Sequence, residues 1–181
     1  IVTGAGRMRG IGRGTANVLA RMGANVVVTG TGRDPATFPD DEKKAGWRDI
    51  DSTAEEVKAH GVRALPLILD VTDEDDVEKM IDATLAEFGR IDIIVNNAAA
   101  PFGEDRVAVL DLPTDVFKKV GDVKLMGTFY CSKAAARVMV RQGEGGRIIN
   151  LSSAMGKRGQ ANASAYNAAN FAVDGFTQAL A

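Results

Sequence analysis

Ile91 to Asn96 (IDIIVN) is the segment that most limits what this chain can become. It is almost entirely apolar, without the polar alternation of a strand that keeps one face in water. A strand of that kind is covered on both faces, which is the situation in a parallel sheet flanked by helices. Three further short apolar runs behave alike: Val26 to Thr29, Ala64 to Val71, and Ile148, Ile149 and Leu151. Between them lie segments with helical spacing. Asp73 to Phe88 carries Val77, Met80, Ile81, Leu85 and Phe88 on one face and an acidic first turn suited to the helix dipole. Alternating apolar strands and amphipathic helices predict an α/β doubly wound parallel sheet, a three-layer αβα Rossmann fold. Ile1-Val2-Thr3 reads as the end of a first strand and Ala181 falls inside a helix, so the fold is expected to be incomplete at both ends.

The strand ends carry the chemistry. Thr3-Gly4 and Gly10-Ile11-Gly12 form a glycine-rich turn between strand and helix, where backbone N–H groups and the helix N-terminus suit a pyrophosphate. After Val26 to Thr29, an acidic residue would hold the adenosine ribose of NAD, but Gly30 occupies that position. Thr31, Arg33 and Arg9 suit a 2′-phosphate instead, so NADP is expected in preference to NAD. Asp34 to Asp51 is a polar insertion, longer than a usual strand-to-helix loop and near the adenosine end. A helix is expected from Ser52 to His60, with Ser52 as N-cap and Glu55 completing a capping box.

Arg147 to Ala181 reads as a strand, a loop with Ser152 and Ser153, and a helix beginning near Ser164. Ser153 and Tyr166 are 13 residues apart, one at a strand end and one in a first helical turn. A hydroxyl and a phenol brought together there suit proton transfer to a carbonyl oxygen. A free tyrosine has a pKa of about 10, and a neighbouring ammonium would favour its phenolate.

These motifs resemble the short-chain dehydrogenase/reductase family, in which a serine precedes Tyr-x-x-x-Lys and an asparagine lies in the preceding helix. The resemblance covers essentially the whole chain. Where it implies the lysine this sequence has Asn170, and where it implies the asparagine it has Lys124, within Lys124-Leu-Met-Gly127-Thr-Phe129. The pair reads as an exchange: Lys124 supplies the cation to Tyr166, and Asn170 takes the hydrogen bonds of the nicotinamide ribose. The resemblance also implies contacts to the cofactor from Asp70-Val71 and from Asn97-Ala98, with Asn96 structural. It implies a small-molecule carbonyl or alcohol substrate, and oligomers formed through the helices at 114–142 and 164–181. Relatives usually continue with two more strands and a substrate-covering segment, so this single domain is expected to be part of a longer chain. Met155, Arg158, Gln160 and Asn162 are expected to line the substrate pocket opposite Ala100 to Pro113, from which Phe102 and Arg106 could also meet substrate.

The rest of the sequence narrows the function classes. A net charge of -2 gives no reason to expect nucleic acid or an anionic membrane surface. Cys131 is the only cysteine, which excludes an internal disulfide and fits a reducing cytoplasm. His60 is the only histidine, and no metal site is expected. The competing reading is a dinucleotide-binding regulatory or structural subunit with impaired catalysis. The retained Ser153 and Tyr166 argue against it.

Overall fold

The computed structural model describes residues 1–181. Its strands are β1 (Val26–Gly30), β2 (Ala64–Ile68), β3 (Ile93–Asn96) and β4 (Arg147–Asn150). The helices are α1 (Ile11–Arg21), α2 (Asp40–Lys44), α3 (Ile50–Lys58), α4 (Glu74–Phe88), α5 (Thr114–Gly121), α6 (Gly127–Gln142) and α7 (Ser164–Leu180).

Val2 is the hinge of the sheet. It forms parallel bridges to Val28 on one side and Val95 on the other. Its N–H donates to Val27 O at 2.8 Å, and the next residue, Thr3, donates to Val95 O at 3.0 Å. With β1 parallel to β2 and β3 parallel to β4, the spatial order is β2, β1, the Val2 stub, β3, β4. The order reverses at the stub, so the loops after the stub and after β3 diverge and open a crevice at the carboxyl ends of the strands.

Side-chain alternation explains both covering layers. Val26 and Val28 point to one face, where Ala16 and Ala20 of α1 and Ala54 and Val57 of α3 meet them. Val27 points to the other face with Ile94, against Val77, Met80 and Ile81 of α4 and Cys131, Ala134, Ala135 and Val138 of α6. Each such valine contributes roughly 1.5–3 kcal/mol by burial, so neither layer is dispensable. Cys131 lies in this second layer, fully buried, and desolvation pushes its thiol up to about 12.

Three local expectations change. The helix expected over 114–142 is divided by a π-helical turn, Asp122–Met126, between α5 and α6. Ser52 is not an N-cap: α3 starts two residues earlier at Ile50, and the Ser52 hydroxyl accepts from Arg48 N at 2.9 Å. Glu55 pairs with Arg48 instead of closing a capping box. The strand from Ala64 stops at Ile68, because Asp70 bends the chain by accepting from both the N–H and the hydroxyl of Thr72.

The stub and the end of β3 are joined through Thr3, which is 1% exposed. Its hydroxyl oxygen accepts from Asn97 N at 3.0 Å and Ala98 N at 3.1 Å. Thr3→Val keeps the shape and leaves both buried donors without that acceptor. We expect a loss of about 1–3 kcal/mol in stability, measured by urea denaturation.

Candidate active site

The crevice begins at the glycine-rich loop. Gly4 has φ +65°, and a Cβ there would come 2.8 Å from Ala98 Cα. A Cβ on Gly12 would meet Asn97 Nδ2 at 2.6 Å and Gly4 O at 2.8 Å. The loop is therefore seated directly on the end of β3, and only glycine permits it. Asn97 secures it by donating to Thr3 O at 2.8 Å and Gly4 O at 2.9 Å. The amide expected at the cofactor is thus committed to the loop, whereas Asn96 has the structural role expected of it, donating to Ser132 Oγ and Asn150 Oδ1. Helix α1 begins after Gly10 with Ile11 and Gly12, without a side-chain cap or an acidic residue in its first turn. Its N-terminal N–H groups and positive dipole end suit an anion, so these residues fit the pyrophosphate of a dinucleotide.

Arg33 differs from expectation. It does not stand free for a phosphate. Its Nε and Nη2 donate to Asp49 Oδ1 at 3.1 and 2.9 Å, Nη1 donates to Glu42 Oε2 at 3.0 Å, and Nη2 also donates to Gly6 O at 3.1 Å. Burial disfavours its charge, but the hydrogen bonds and charges of Glu42 and Asp49 outweigh burial and hold the guanidinium above its ordinary pKa. Arg9 is exposed and paired with Asp41 at 2.8 Å, and Thr31 is exposed.

Tyr166 and Lys124 meet at the other end of the crevice, in a cavity that Ser153 does not line. This cavity of about 210 Å³ is lined by Ala99, Ala100, Phe102, Arg106, Lys124 and Tyr166, among others. Small side chains bring its walls together: Ala165 and Ala169, one turn apart on α7, pack against Val120 of α5. The π-helical turn follows Val120 directly, and Lys124 is on it. Lys124 is 5% exposed, its ammonium makes no hydrogen bond or ion pair, and desolvation lowers its pKa. Ser153 caps the short 3₁₀ turn Ala154–Gly156, its oxygen accepting from Met155 N at 3.2 Å. That contact leaves the hydroxyl proton available to a substrate oxygen.

The Asn170 amide, expected at the nicotinamide ribose, bonds within its own helix. It is completely buried, and its Nδ2 donates to Tyr166 O, one turn back on its own helix, at 2.8 Å. Its Oδ1 has no partner. Met155, Arg158, Gln160 and Asn162 do not line the cavity, whereas Phe102 and Arg106 do. Sequence reasoning missed what Arg106 does locally. Its guanidinium stacks on the Tyr166 ring, 4.2 Å from the centroid, and on Phe102 at 4.8 Å. Nη1 touches Met155 Sδ at 3.6 Å. Nε lies 3.4 Å from Asp105 Oδ1, close enough for charge pairing but not aligned as a hydrogen bond. An arginine in a loop gives no sign of its stacking partner, so no motif could have found this. No group of His, Cys, Asp and Glu side chains is arranged to hold a metal.

With this geometry in view, comparison with known proteins decides the family. The family model described as short chain dehydrogenase matches residues 1–181. The chain belongs to the short-chain dehydrogenase family. It is 41% identical, over its whole length, to a short chain dehydrogenase/reductase named astE from Aspergillus oryzae, of which the match covers 63%. It is 39% identical to a cis-4-hydroxycyclohexanecarboxylate dehydrogenase from Sinomonas cyclohexanicum, covering 100% of this chain and 65% of the relative. Among solved structures, NAD⁺-bound xylitol dehydrogenase superposes with a TM-score of 0.82 at 31% identity, over 98% of this chain and 61% of the other. Acetoin dehydrogenase from Enterobacter cloacae superposes with a TM-score of 0.80 at 38% identity, over 99% and 64%. The chain thus spans less than two thirds of the length of these relatives. The family is one of oxidoreductases using NAD or NADP, and no helix of this chain is long and apolar enough to cross a membrane.

A buried, unpaired ammonium costs stability. The folded pKa of Lys124 lies below that of the unfolded chain. The unfolded state therefore binds more protons between the two values, and the penalty is present at neutral pH and relieved as pH rises towards the unfolded value. Lys124→Met should have a higher urea midpoint than the parent at pH 7, and the gap should narrow as pH approaches 10.5.

Proposed function

We propose that this protein transfers hydride between a nicotinamide dinucleotide and a small secondary alcohol or its ketone. In this reading Tyr166 is the acid–base group, Ser153 holds the substrate oxygen and Lys124 supplies the cation. The observation that carries it is the cavity shared by Lys124 and Tyr166: a buried ammonium and a phenol on facing elements, with Asn170 turned away.

The glycine-rich loop and the start of α1 would hold the dinucleotide's pyrophosphate. Once bound, the dinucleotide supplies or accepts the hydride. In ketone reduction Ser153 donates a hydrogen bond to the carbonyl oxygen, and Tyr166 gives that oxygen its proton as negative charge develops. In alcohol oxidation the same residue, as its phenolate, takes the hydroxyl proton. The Lys124 ammonium stabilises the phenolate form by charge, directly or through one water. Asn170 acts by packing: its amide fastens the turn of α7 that bears Tyr166. Ala99, Ala100, Pro101 and Phe102 present an apolar wall to the substrate's carbon frame. Assembly of copies through α5, α6 and α7 is supported by the apolar side chains that these helices leave partly exposed, among them Phe117, Val140 and Phe171.

The test is a comparison of Lys124→Met and Asn170→Ala. The substrate panel should be small secondary alcohols and ketones, including the compounds named for the relatives: xylitol, acetoin and cis-4-hydroxycyclohexanecarboxylate. Lys124→Met should lower kcat/KM by about 10²–10⁴ near pH 7, the range for assisted proton transfer. Its alcohol-oxidation profile should also move to higher pH. Asn170→Ala should lose less activity and should leave the pH profile in place. Full activity of Lys124→Met at neutral pH would remove the cationic role.

A further inference from the structure

The end of β1 lacks the carboxylate that would distinguish one dinucleotide from another, and the fold prevents one there. A Cβ on Gly30 would lie 2.9 Å from Ile50 Cγ2, at the start of α3. The space beside it is filled from elsewhere. Asp49 Oδ2 is 3.8 Å from that same Cβ position. On its other side the Asp49 carboxylate rests against the glycine-rich loop, where any Cβ on Gly6 would fall on it. The insertion that carries Asp49 is tied to this loop at two more points. Trp47 Nε1 donates to Gly6 O at 2.6 Å, and Glu42 Oε1 accepts from Met8 N at 2.9 Å.

We propose that Asp49, delivered by the insertion, stands in for the missing strand-end carboxylate and, with Glu42 and Arg33, selects NAD over NADP. The proposal rests on the dinucleotide reading given above. It reverses the preference that the arginines suggest in the sequence, and charge is the reason. A 2′-phosphate brings about two negative charges. It would meet two buried carboxylates, Asp49 at 7% and Glu42 at 3% exposure, balanced by one arginine. Four of the five N–H donors of that arginine already serve Asp49, Glu42 and Gly6, so no fork remains for a phosphate. A 2′-hydroxyl is different, because it is itself a donor. Asp49 Oδ2 accepts only Arg33 N, at 3.1 Å, and retains a lone pair for it. Two of the nearby arginines offer little to a phosphate. Arg13 is paired with Glu56 and stacked on Trp47, and Arg9 is paired with Asp41. Arg7, and Lys43 and Lys44 on α2, are exposed without an ion pair.

The test needs no substrate. Dissociation constants for NADH and NADPH are measured by nicotinamide fluorescence and calorimetry on the purified protein. NADH should bind at least about tenfold tighter, the scale of a like-charge clash. Asp49→Asn keeps the side-chain shape at this position, where φ is +54° and ψ −129°. It should bring the two constants together, chiefly by tightening NADPH. Glu42→Gln, on a separate helix, removes charge without touching the ribose acceptor. It should tighten NADPH by more than it changes NADH, which keeps the test decisive if Asp49→Asn does not fold. The proposal is overturned if the parent binds NADPH as tightly as NADH, or if the variants leave the ratio unchanged. It is also overturned if Arg7→Ala selectively abolishes tight NADPH binding. Failure to bind either dinucleotide would overturn the underlying reading instead.

Discussion

A single ammonium buried without a counter-charge organises the proposed chemistry of this chain. Lys124 is nearly inaccessible and makes no ion pair, which is a state that folding opposes. Such a group is a candidate for a functional charge, and the cavity it lines is also lined by Tyr166. The structure supports its position in two ways. The π-helical turn Asp122–Met126 changes the helical phase just where Lys124 leaves the backbone, and the alanines of α7 let the two helices approach. Arg106 contributes by a different route, lying on the face of the Tyr166 ring rather than at its hydroxyl. In the proposed reading, ring orientation and phenol charge fall to separate cations.

Much of the fold was legible in the sequence because it follows from periodicity and strand ends. Apolar runs without alternation gave a parallel sheet covered on both faces, and Val26, Val27 and Val28 are indeed buried from opposite sides. The glycine spacing located a loop whose packing on β3 excludes side chains at Gly4 and Gly12. Ser153, Tyr166 and Lys124 could be singled out by motif, and the cavity holding the latter two follows from the topology that motif implies.

The remainder depended on tertiary contacts that no local pattern encodes. Arg33 looks like a phosphate ligand in isolation. Its partners, Glu42 and Asp49, are 9 and 16 residues away in an insertion that resembles a solvated loop. Only the folded insertion reveals that Arg33 is held by these two carboxylates, which is the observation behind the proposed preference for NAD. Asn170 is ambiguous in the sequence for a related reason. A polar residue one turn after a tyrosine can face a ligand or bond its own helix, and spacing is the same in both cases. The π-helical turn was invisible because its sequence, DVKLM, is compatible with an ordinary α-helix.

The most direct test of the central claim is a crystal structure of the protein with a bound nicotinamide dinucleotide and a substrate alcohol or ketone. The account predicts Lys124 Nζ within hydrogen-bond reach of Tyr166 Oη, or joined to it by one ordered water, with the substrate oxygen between Tyr166 and Ser153. A Lys124 ammonium paired with Asp105 or turned to solvent, with no other cation at the phenol oxygen, would contradict it.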